Sequence, residues 1–140
     1  MLAINATQVR KDWSAVADTA IREKPQFIKK TRDYMMLSNI DTINSILSAY
    51  SFHAALFVED NGSITISLDE IDLIENAPDE EKAIAKLAAA ILEYSEDYYS
   101  DFAYWARGNR KTHLPYVLKA LISNDIVKIG GAIECRHGGI

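Results

Sequence analysis

The chain has 140 residues, of which 49% are hydrophobic and 25% charged, and this is the composition of an ordinary globular protein. Such a length suffices for one domain or two very small ones without disulfides or metals. The single cysteine, Cys135, excludes an intramolecular disulfide and favours a reducing compartment. No run approaches the roughly 20 apolar residues of a membrane span, and the first residues lack a signal-peptide pattern. We therefore expect a cytoplasmic protein with no membrane partner.

Charge is distributed unevenly along the chain, although the net charge is only −5. Residues 1–50 hold seven Lys/Arg and five Asp/Glu, residues 51–106 hold two and thirteen, and residues 107–140 hold six and two. The first segment therefore suits a phosphate backbone. The acidic middle segment is explained either by a basic partner or by a solvated acidic surface.

The sequence begins with a predicted strand, at residues 2–5, and a predicted helix. Thr7 is a suitable cap for this helix, which should end before Pro25. Its apolar positions recur at helical spacing and form one face: Val9, Trp13, Val16, Ala17, Ala20 and Ile21. Arg10 and Lys11 lie in the first turn away from this face, where cations oppose the helix dipole. Their placement therefore indicates a partner that carries negative charge.

A basic hairpin and a second helix follow. Residues 26–29 and 34–37 predict two short strands around the turn Lys29-Lys30-Thr31-Arg32-Asp33. Asn39 is the predicted cap of the second helix. The apolar face of that helix holds Ile40, Ile43, Ile46, Leu47 and Tyr50. Because a module of this size has too little core to be secure alone, we expect it to dimerise.

The next segment predicts a small sheet. Residues 54–58 and 63–68 predict strands that flank Asn61-Gly62, which is a strong hairpin signal. Residues 71–74 predict a third strand. The acidic residues after Pro78 then begin a long helix, since negative charge suits the first turn of a helix. Its apolar stripe is Ile84, Leu87, Ala88, Ile91, Leu92 and Ser95/Tyr98.

Aromatic residues crowd the end of the long helix and the turn after it. Tyr99, Tyr104 and Trp105 are candidate anchors for a protein partner, because Tyr and Trp are favoured at interfaces. The alternative is that they pack the long helix against its neighbours. Residues 114–121 predict another helix with Pro115 in its first turn, and the tail from Ile126 fits a strand, a frayed helix or a coil.

These elements predict an α+β fold in two modules. Residues 1–50 form a β-α-β-β-α module, and residues 51–140 form an acidic module with a β-hairpin, a small sheet and a long helix.

Three segments of the N-terminal third resemble the prevent-host-death / YefM family of antitoxins. Residues 4–14, Ile-Asn-Ala-Thr-Gln-Val-Arg-Lys-Asp-Trp-Ser, are similar to the family's opening I-x-A-T-E-A-R-x-x-F-S. Residues 25–28, Pro-Gln-Phe-Ile, follow in order. Residues 36–41, Met-Leu-Ser-Asn-Ile-Asp, are similar to its V-L-x-S-L-E. The order of elements in residues 51–140 also faintly resembles the HicB type of antitoxin domain.

The resemblance implies an antitoxin that binds its own operator DNA as a homodimer and holds a partner toxin through residues C-terminal to the first module. Carried over by position, the operator contacts fall on Asn5, Thr7, Arg10, Lys11, Lys29, Lys30 and Arg32. The positive charge of residues 1–50 independently favours the same surface. Taken alone, the basic turn Lys29, Lys30 and Arg32 is better explained as a solvated turn.

No pattern in the chain indicates catalysis, a metal or a cofactor. The histidines His53, His113 and His137 are scattered, and Cys135 with His137 supplies only two of the three or four ligands that a metal site needs. The sequence contains neither a phosphate-binding Gly-Lys-Ser/Thr loop nor a nucleophile elbow. The acidic residues Asp69, Glu70 and Asp72 have no positive channel beside them in the sequence. We therefore expect a non-enzymatic protein without a cofactor.

Two hypotheses remain from the sequence. In the first, the protein is an antitoxin and autorepressor of a type II toxin–antitoxin pair whose acidic module, residues 51–140, neutralises a toxin encoded nearby. In the second, it is a stand-alone dimeric transcriptional regulator or scaffold that has no toxin partner.

Overall fold

Helices and strands are both present along residues 2–138, the part of the chain that the computed structural model describes. Both kinds of element occur in each half, so the predicted α+β class is confirmed. The chain divides into two compact units, Met1–Ile46 and Leu47–Ile140, which we call the N-terminal and C-terminal units. Within the described residues, no helix is both long and apolar enough to cross a membrane.

The N-terminal unit contains a three-stranded sheet and three short helices. Its elements in chain order are β1 (Ile4–Asn5), α1 (Ala6–Lys11), α2 (Trp13–Arg22), β2 (Gln26–Lys30), β3 (Asp33–Leu37) and α3 (Ile40–Ile46). The sheet order is β1-β2-β3. β1 runs parallel to β2, and β2 runs antiparallel to β3.

The first predicted helix is in fact two helices, and its predicted cap was wrong. Asn5 rather than Thr7 caps α1, because the Asn5 Oδ1 accepts a hydrogen bond from the Thr7 backbone N–H at 2.9 Å. The chain leaves helical geometry at Asp12, whose carboxylate accepts a hydrogen bond from the Gln8 side chain. This break separates Trp13 from the predicted apolar face of the first helix, and the Trp13 side chain is 54% exposed.

The hairpin is tighter than predicted. Lys30 pairs with Asp33, so the strands extend into the predicted turn and leave only Thr31 and Arg32 to connect them. Thr31 has a φ of +58°, a left-handed conformation that is uncommon for a β-branched residue. The predicted helix cap at Asn39 is confirmed, since its Oδ1 accepts a hydrogen bond from the Asp41 N–H at 2.7 Å.

The N-terminal unit has a small core. Val9, Val16 and Ile28 form its buried cluster. Most of the predicted apolar face of the second helix is not buried, because Ile40 and Ile46 are exposed and α3 contains no buried residue. Leu47, which follows the end of α3, is buried as predicted.

The C-terminal unit contains a four-stranded sheet and four helices. After a 3₁₀ turn (Leu47–Ala49) come β4 (His53–Val58), β5 (Ile64–Leu68), β6 (Ile74–Ala77), α4 (Glu80–Ser100) and α5 (Phe102–Trp105). A second 3₁₀ segment (Gly108–His113), α6 (Leu114–Ser123), α7 (Ile126–Ala132) and β7 (Glu134–His137) complete it. The sheet order is β6-β5-β4-β7, with β7 parallel to β4 and the other pairs antiparallel.

Most sequence expectations for this unit are confirmed, and one strand is displaced. The hairpin turn contains Gly62 at a φ of +83°, as its Asn-Gly signal predicts. The third strand occupies Ile74–Ala77 rather than residues 71–74, because Ile71 lies in the core at 2% exposure instead of pairing in the sheet. The ambiguous tail forms both a helix, capped by the Asp125 side chain, and an edge strand.

The core of the C-terminal unit lies between α4 and the sheet. The predicted stripe of α4 is confirmed, since Leu87, Ala88 and Ile91 are fully buried. Ser95 is also buried, and its hydroxyl donates to the Ile91 carbonyl oxygen at 2.7 Å. Tyr98 is the largest of these buried side chains, and its hydroxyl donates to the Arg110 carbonyl oxygen at 2.8 Å. That bond fixes the second 3₁₀ segment against the end of α4.

Candidate functional site

A basic cleft of about 460 Å³ lies in the N-terminal unit where α1 meets the hairpin turn. It is lined by Asn5, Ala6, Thr7, Arg10, Lys30 and Thr31, and we call it the basic cleft. Four of the seven residues predicted to bind DNA therefore line one concavity. The other three, Lys11, Lys29 and Arg32, are exposed outside it.

Strand pairing explains why these residues meet. The parallel register of β1 and β2 places Asn5 opposite Lys29, so the chain immediately beyond, Lys30 and Thr31, lies beside the start of α1. Lys29 itself extends over the ring of Tyr34, with its Nζ 5.5 Å from the ring centroid. Side chains alternate between the two faces of a strand, so Lys29 and Lys30 point to opposite sides of the sheet.

Hydrogen bonds are formed by three of the residues that line the basic cleft, Asn5, Thr7 and Arg10. Asn5 is occupied as the α1 cap, so it positions the backbone at this edge of the cleft. The Arg10 Nη2 donates a hydrogen bond of 3.5 Å to the Thr7 Oγ1. No carboxylate lines the cleft, and its two charged side chains, Arg10 and Lys30, are both cationic. The arrangement suits a phosphate or another anion.

A second cleft, of about 490 Å³, lies in the C-terminal unit beside the end of α4. Its lining residues are Ile71, Asp72, Leu73, Tyr94, Trp105, Arg107, Asn109, Arg110 and His113, and we call it the aromatic cleft. Of the three predicted partner-binding residues, Trp105 lines this cleft. Tyr104 packs edge-on against Trp105 at a centroid distance of 5.4 Å but does not line it. Tyr99 lies apart from the cleft and is 67% exposed.

Aromatic rings form one wall of the aromatic cleft. Tyr94 meets Trp105 edge-on at 5.6 Å and meets the His113 ring at 5.7 Å. The Tyr94 hydroxyl and the His113 Nδ1 share a hydrogen bond of 2.6 Å. Burial is the main cause that lowers the pKa of His113 and raises the pKa of Tyr94, so both groups are neutral at neutral pH.

Two guanidinium groups complete the aromatic cleft. Arg110 lies over the Trp105 ring at 4.7 Å and over the Tyr104 ring at 5.9 Å. Among residues 2–138, neither Arg107 nor Arg110 lies within 4.0 Å of a carboxylate oxygen. By contrast, Arg136 forms a two-pronged ion pair with Asp69 at 2.7 and 3.0 Å.

Sequence reasoning identified Trp105 but missed the residues that surround it. Arg107 and Arg110 directly follow the acidic segment. The change from negative to positive charge along the sequence was the signal that could have identified them. The contribution of Ile71 and Leu73 had no local signal, because their loop reaches the end of α4 only through tertiary packing.

Among the described residues of the C-terminal unit, the titratable groups do not form a metal site. His53 lies between two carboxylates, with its Nδ1 2.9 Å from Glu70 and its Nε2 3.0 Å from Glu134. The hydrogen bond to Glu70 is the main cause that raises the pKa of His53. In the portion of the chain described, no group of three or more His, Cys, Asp or Glu side chains could hold a metal ion.

Comparison with known proteins identifies the family. A family model described as "Antitoxin of toxin-antitoxin, RelE / RelB, TA system", of PHD-like type, matches residues 1–135. A crystal structure from Syntrophomonas wolfei subsp. wolfei, described as an antitoxin part of a proposed toxin/antitoxin system, is 37% identical. It covers 99% of this chain and 100% of its own, with a TM-score of 0.92. No curated protein matches. The chain therefore belongs to the PHD-like antitoxins of RelE/RelB toxin–antitoxin systems.

Proposed function

We propose that this antitoxin is a non-enzymatic repressor that uses its two units for two different partners. Residues 1–50 bind operator DNA as a homodimer, in the manner of the YefM family, and residues 51–140 hold and neutralise a toxin encoded nearby. The observation that carries the proposal is the presence of two clefts of different chemistry, one in each unit.

The basic cleft supports the assignment to DNA. Arg10 and Lys30 supply its charge, and the exposed cations Lys11, Lys29 and Arg32 belong to the same small unit. Contacts of Lys and Arg with phosphate provide most of the affinity of DNA-binding proteins, and Arg also reads guanine in the major groove. Arg10, which Thr7 holds in place, is therefore the main candidate for an operator contact.

Exposed apolar side chains support a dimer through the N-terminal unit. Ile28 faces the helices from β2, so the alternation of the strands puts Phe27, Tyr34 and Met36 on the opposite face. These three side chains are 41%, 51% and 44% exposed. A second copy of the chain would bury them and would supplement the small core of the unit.

The aromatic cleft supports the assignment to a toxin. Trp105 and Tyr94 offer a rigid aromatic wall, and Phe102, Tyr104 and Tyr99 are exposed along the same stretch of chain. Tyr and Trp are the side chains that most often carry binding energy at protein interfaces. The C-terminal unit as a whole also carries a net negative charge, which favours association with a basic protein.

Co-purification from the native operon tests the proposed function. The full-length chain, tagged and expressed with its neighbouring reading frame, should recover the protein which that frame encodes. It should also shift the DNA immediately upstream of the operon in a gel. Trp105→Ala should reduce the recovered protein without reducing the DNA shift. Recovery of no neighbour-encoded protein by the wild-type chain would favour the alternative of a regulator or scaffold without a toxin.

A further inference from the structure

The aromatic cleft carries positive charge inside a unit that is otherwise negative. Residues 47–140 hold 15 Asp/Glu and eight Lys/Arg, a net charge of −7. Yet two arginines, Arg107 and Arg110, line the cleft and face a single carboxylate, Asp72. His113 adds no charge, because burial lowers its pKa. The sign of the charge in the cleft is therefore opposite to that of the unit as a whole.

The Arg110 side chain is positioned to bind an anionic ligand. Its guanidinium lies 4.7 Å from the Trp105 ring centroid, which limits the rotation of a long side chain. Since no carboxylate among the described residues pairs with Arg110 or Arg107, their N–H donors face solvent or a ligand. A guanidinium held in this way binds a carboxylate with two parallel hydrogen bonds at a reduced cost in entropy.

The remaining walls of the aromatic cleft are apolar or neutral. Ile71, Leu73 and the Tyr94 and Trp105 rings offer apolar contact, and Asn109 adds a neutral amide. A volume of about 490 Å³ admits two or three side chains of a peptide segment. The matching ligand combines a carboxylate with an adjacent aromatic or aliphatic side chain.

We propose that the aromatic cleft binds an acidic segment of the toxin, in which an Asp or Glu carboxylate pairs with Arg107 and Arg110 while a neighbouring apolar side chain packs on Trp105. The proposal rests on the proposed function, because it presumes that a toxin binds the C-terminal unit, and it names the chemistry of the segment that enters. The net negative charge of the whole unit favours a toxin that is basic outside this segment.

A protein segment fits the cleft better than a nucleic acid does. An extended phosphate chain longer than the cleft would also meet a unit whose net charge is −7. A short acidic segment on a basic protein avoids this repulsion. The isolated positive cleft then fixes the register of the partner, because only one orientation matches both signs of charge.

Tryptophan fluorescence of the full-length chain tests this chemistry without the toxin. The chain has two tryptophans, so Trp13→Phe leaves Trp105 as the single reporter. The probe is the peptide acetyl-Ser-Glu-Phe-Glu-Ser-amide, and its control replaces both glutamates with glutamine. We expect the acidic peptide to change the Trp105 emission in a saturable way and to bind about tenfold more tightly than the glutamine peptide.

Single substitutions in the same Trp13→Phe background locate the contact. Arg110→Gln and Arg107→Gln should each weaken the acidic peptide about tenfold and leave the glutamine peptide unchanged. Lys111→Gln is the matched control, since it removes one positive charge from the same segment outside the cleft. Equal affinity for the two peptides, or an absence of saturable binding, would overturn the proposal. So would displacement of the acidic peptide by single-stranded oligonucleotides at lower concentration, which would assign the cleft to nucleic acid.

Recovery of the toxin by wild-type and variant chains distinguishes this proposal from the proposed function. If the wild-type chain recovers the neighbour-encoded protein and the Arg107→Gln, Arg110→Gln double variant recovers it equally well, the acidic-segment proposal fails while the antitoxin role stands. If the wild-type chain recovers no such protein, the proposed function fails. The peptide titration then still decides whether the cleft recognises carboxylates.

Discussion

The two units of this antitoxin differ in how completely they bury their apolar side chains. The N-terminal unit encloses Val9, Val16 and Ile28, and it leaves exposed Trp13, Ile21, Phe27, Tyr34, Met35, Met36, Ile40 and Ile46. The C-terminal unit surrounds α4 on its buried side, where Leu87 and Ile91 have no exposure at all. The first unit therefore buries a small apolar cluster, whereas the second buries a much larger one.

This difference agrees with the proposal that the two units bind different partners. A small unit with exposed apolar faces gains stability from a second copy, and a dimer also suits the two-fold symmetry of many operators. A unit with a complete core can present a rigid cleft to a partner without folding upon binding. The predictions below test this contrast, beginning with the largest expected effect.

The core of the C-terminal unit should be the most sensitive part of the chain. Ile91→Ala removes a fully buried side chain from α4 and should lower the free energy of unfolding by about 2–5 kcal/mol. Glu96→Ala, on the exposed side of the same helix, should change it by less than about 0.5 kcal/mol. Urea denaturation followed by circular dichroism measures both. Equal losses for the two variants would show that α4 does not carry the core.

The proposed dimer should depend on the exposed face of the N-terminal sheet. Met36→Glu places a charge among Phe27 and Tyr34, so it should convert the dimer to a monomer at micromolar concentration. Val58→Glu makes the same kind of change at a 72% exposed position of the C-terminal unit and should leave the dimer intact. Sedimentation velocity distinguishes the two species. A Met36→Glu dimer would place the interface elsewhere.

Binding of operator DNA should depend on the basic cleft. Arg10→Ala should weaken binding to the DNA upstream of the operon about tenfold at physiological salt and reduce the salt slope by about one. Arg22→Ala removes a positive charge from an exposed position of α2 outside the cleft, so its effect should be much smaller. A gel-shift series across salt concentrations measures both quantities. An unchanged slope for Arg10→Ala would exclude Arg10 as a phosphate contact.

Two histidines of the C-terminal unit should give pH effects of opposite sign. The raised pKa of His53, caused chiefly by the Glu70 hydrogen bond, means that its stabilisation is present below pH 6.5 and is lost as the pH rises through the folded pKa. The lowered pKa of His113, caused chiefly by burial, means that protonation destabilises the fold as the pH falls below 6.5.

Single substitutions separate these two histidines. Relative to the wild type, His53→Gln should lose more stability at pH 5.5 than at pH 8.5, and His113→Gln should lose less at pH 5.5 than at pH 8.5. Thermal melts at the two pH values give the comparison. The same pH trend in both variants would contradict the opposite environments of the two rings.

Local signals predicted much of the fold, and the misses have physical causes. The hairpin of β2 and β3, the Gly62 turn and the stripe of α4 follow from periodicity and turn chemistry. The break at Asp12 was missed, because one poorly helical residue inside an apolar period carries little weight. The parallel pairing of β7 with β4 joins residues about eighty positions apart, so no local pattern could predict it.

The residues of the candidate sites were also predicted only in part from the sequence. Four of the predicted DNA-binding residues line the basic cleft, because parallel pairing joins two segments that the family resemblance had already identified. In the aromatic cleft only Trp105 was predicted. The sequence does not predict that Arg107 and Arg110 line this cleft, because their position depends on tertiary structure. The hydrogen bond from the Tyr98 hydroxyl to the Arg110 carbonyl oxygen holds this segment against α4.

The assignment of one partner to each unit is tested most directly by measuring the affinities for DNA and for the toxin on the same full-length variants. Arg10→Ala and Trp105→Ala are each titrated with the upstream DNA and, separately, with the neighbour-encoded toxin. We expect Arg10→Ala to weaken DNA binding about tenfold and leave toxin binding unchanged. Trp105→Ala should weaken toxin binding by more than about tenfold and leave DNA binding unchanged. A substitution that weakened both affinities equally, or the exchange of the two effects, would contradict the assignment of one partner to each unit.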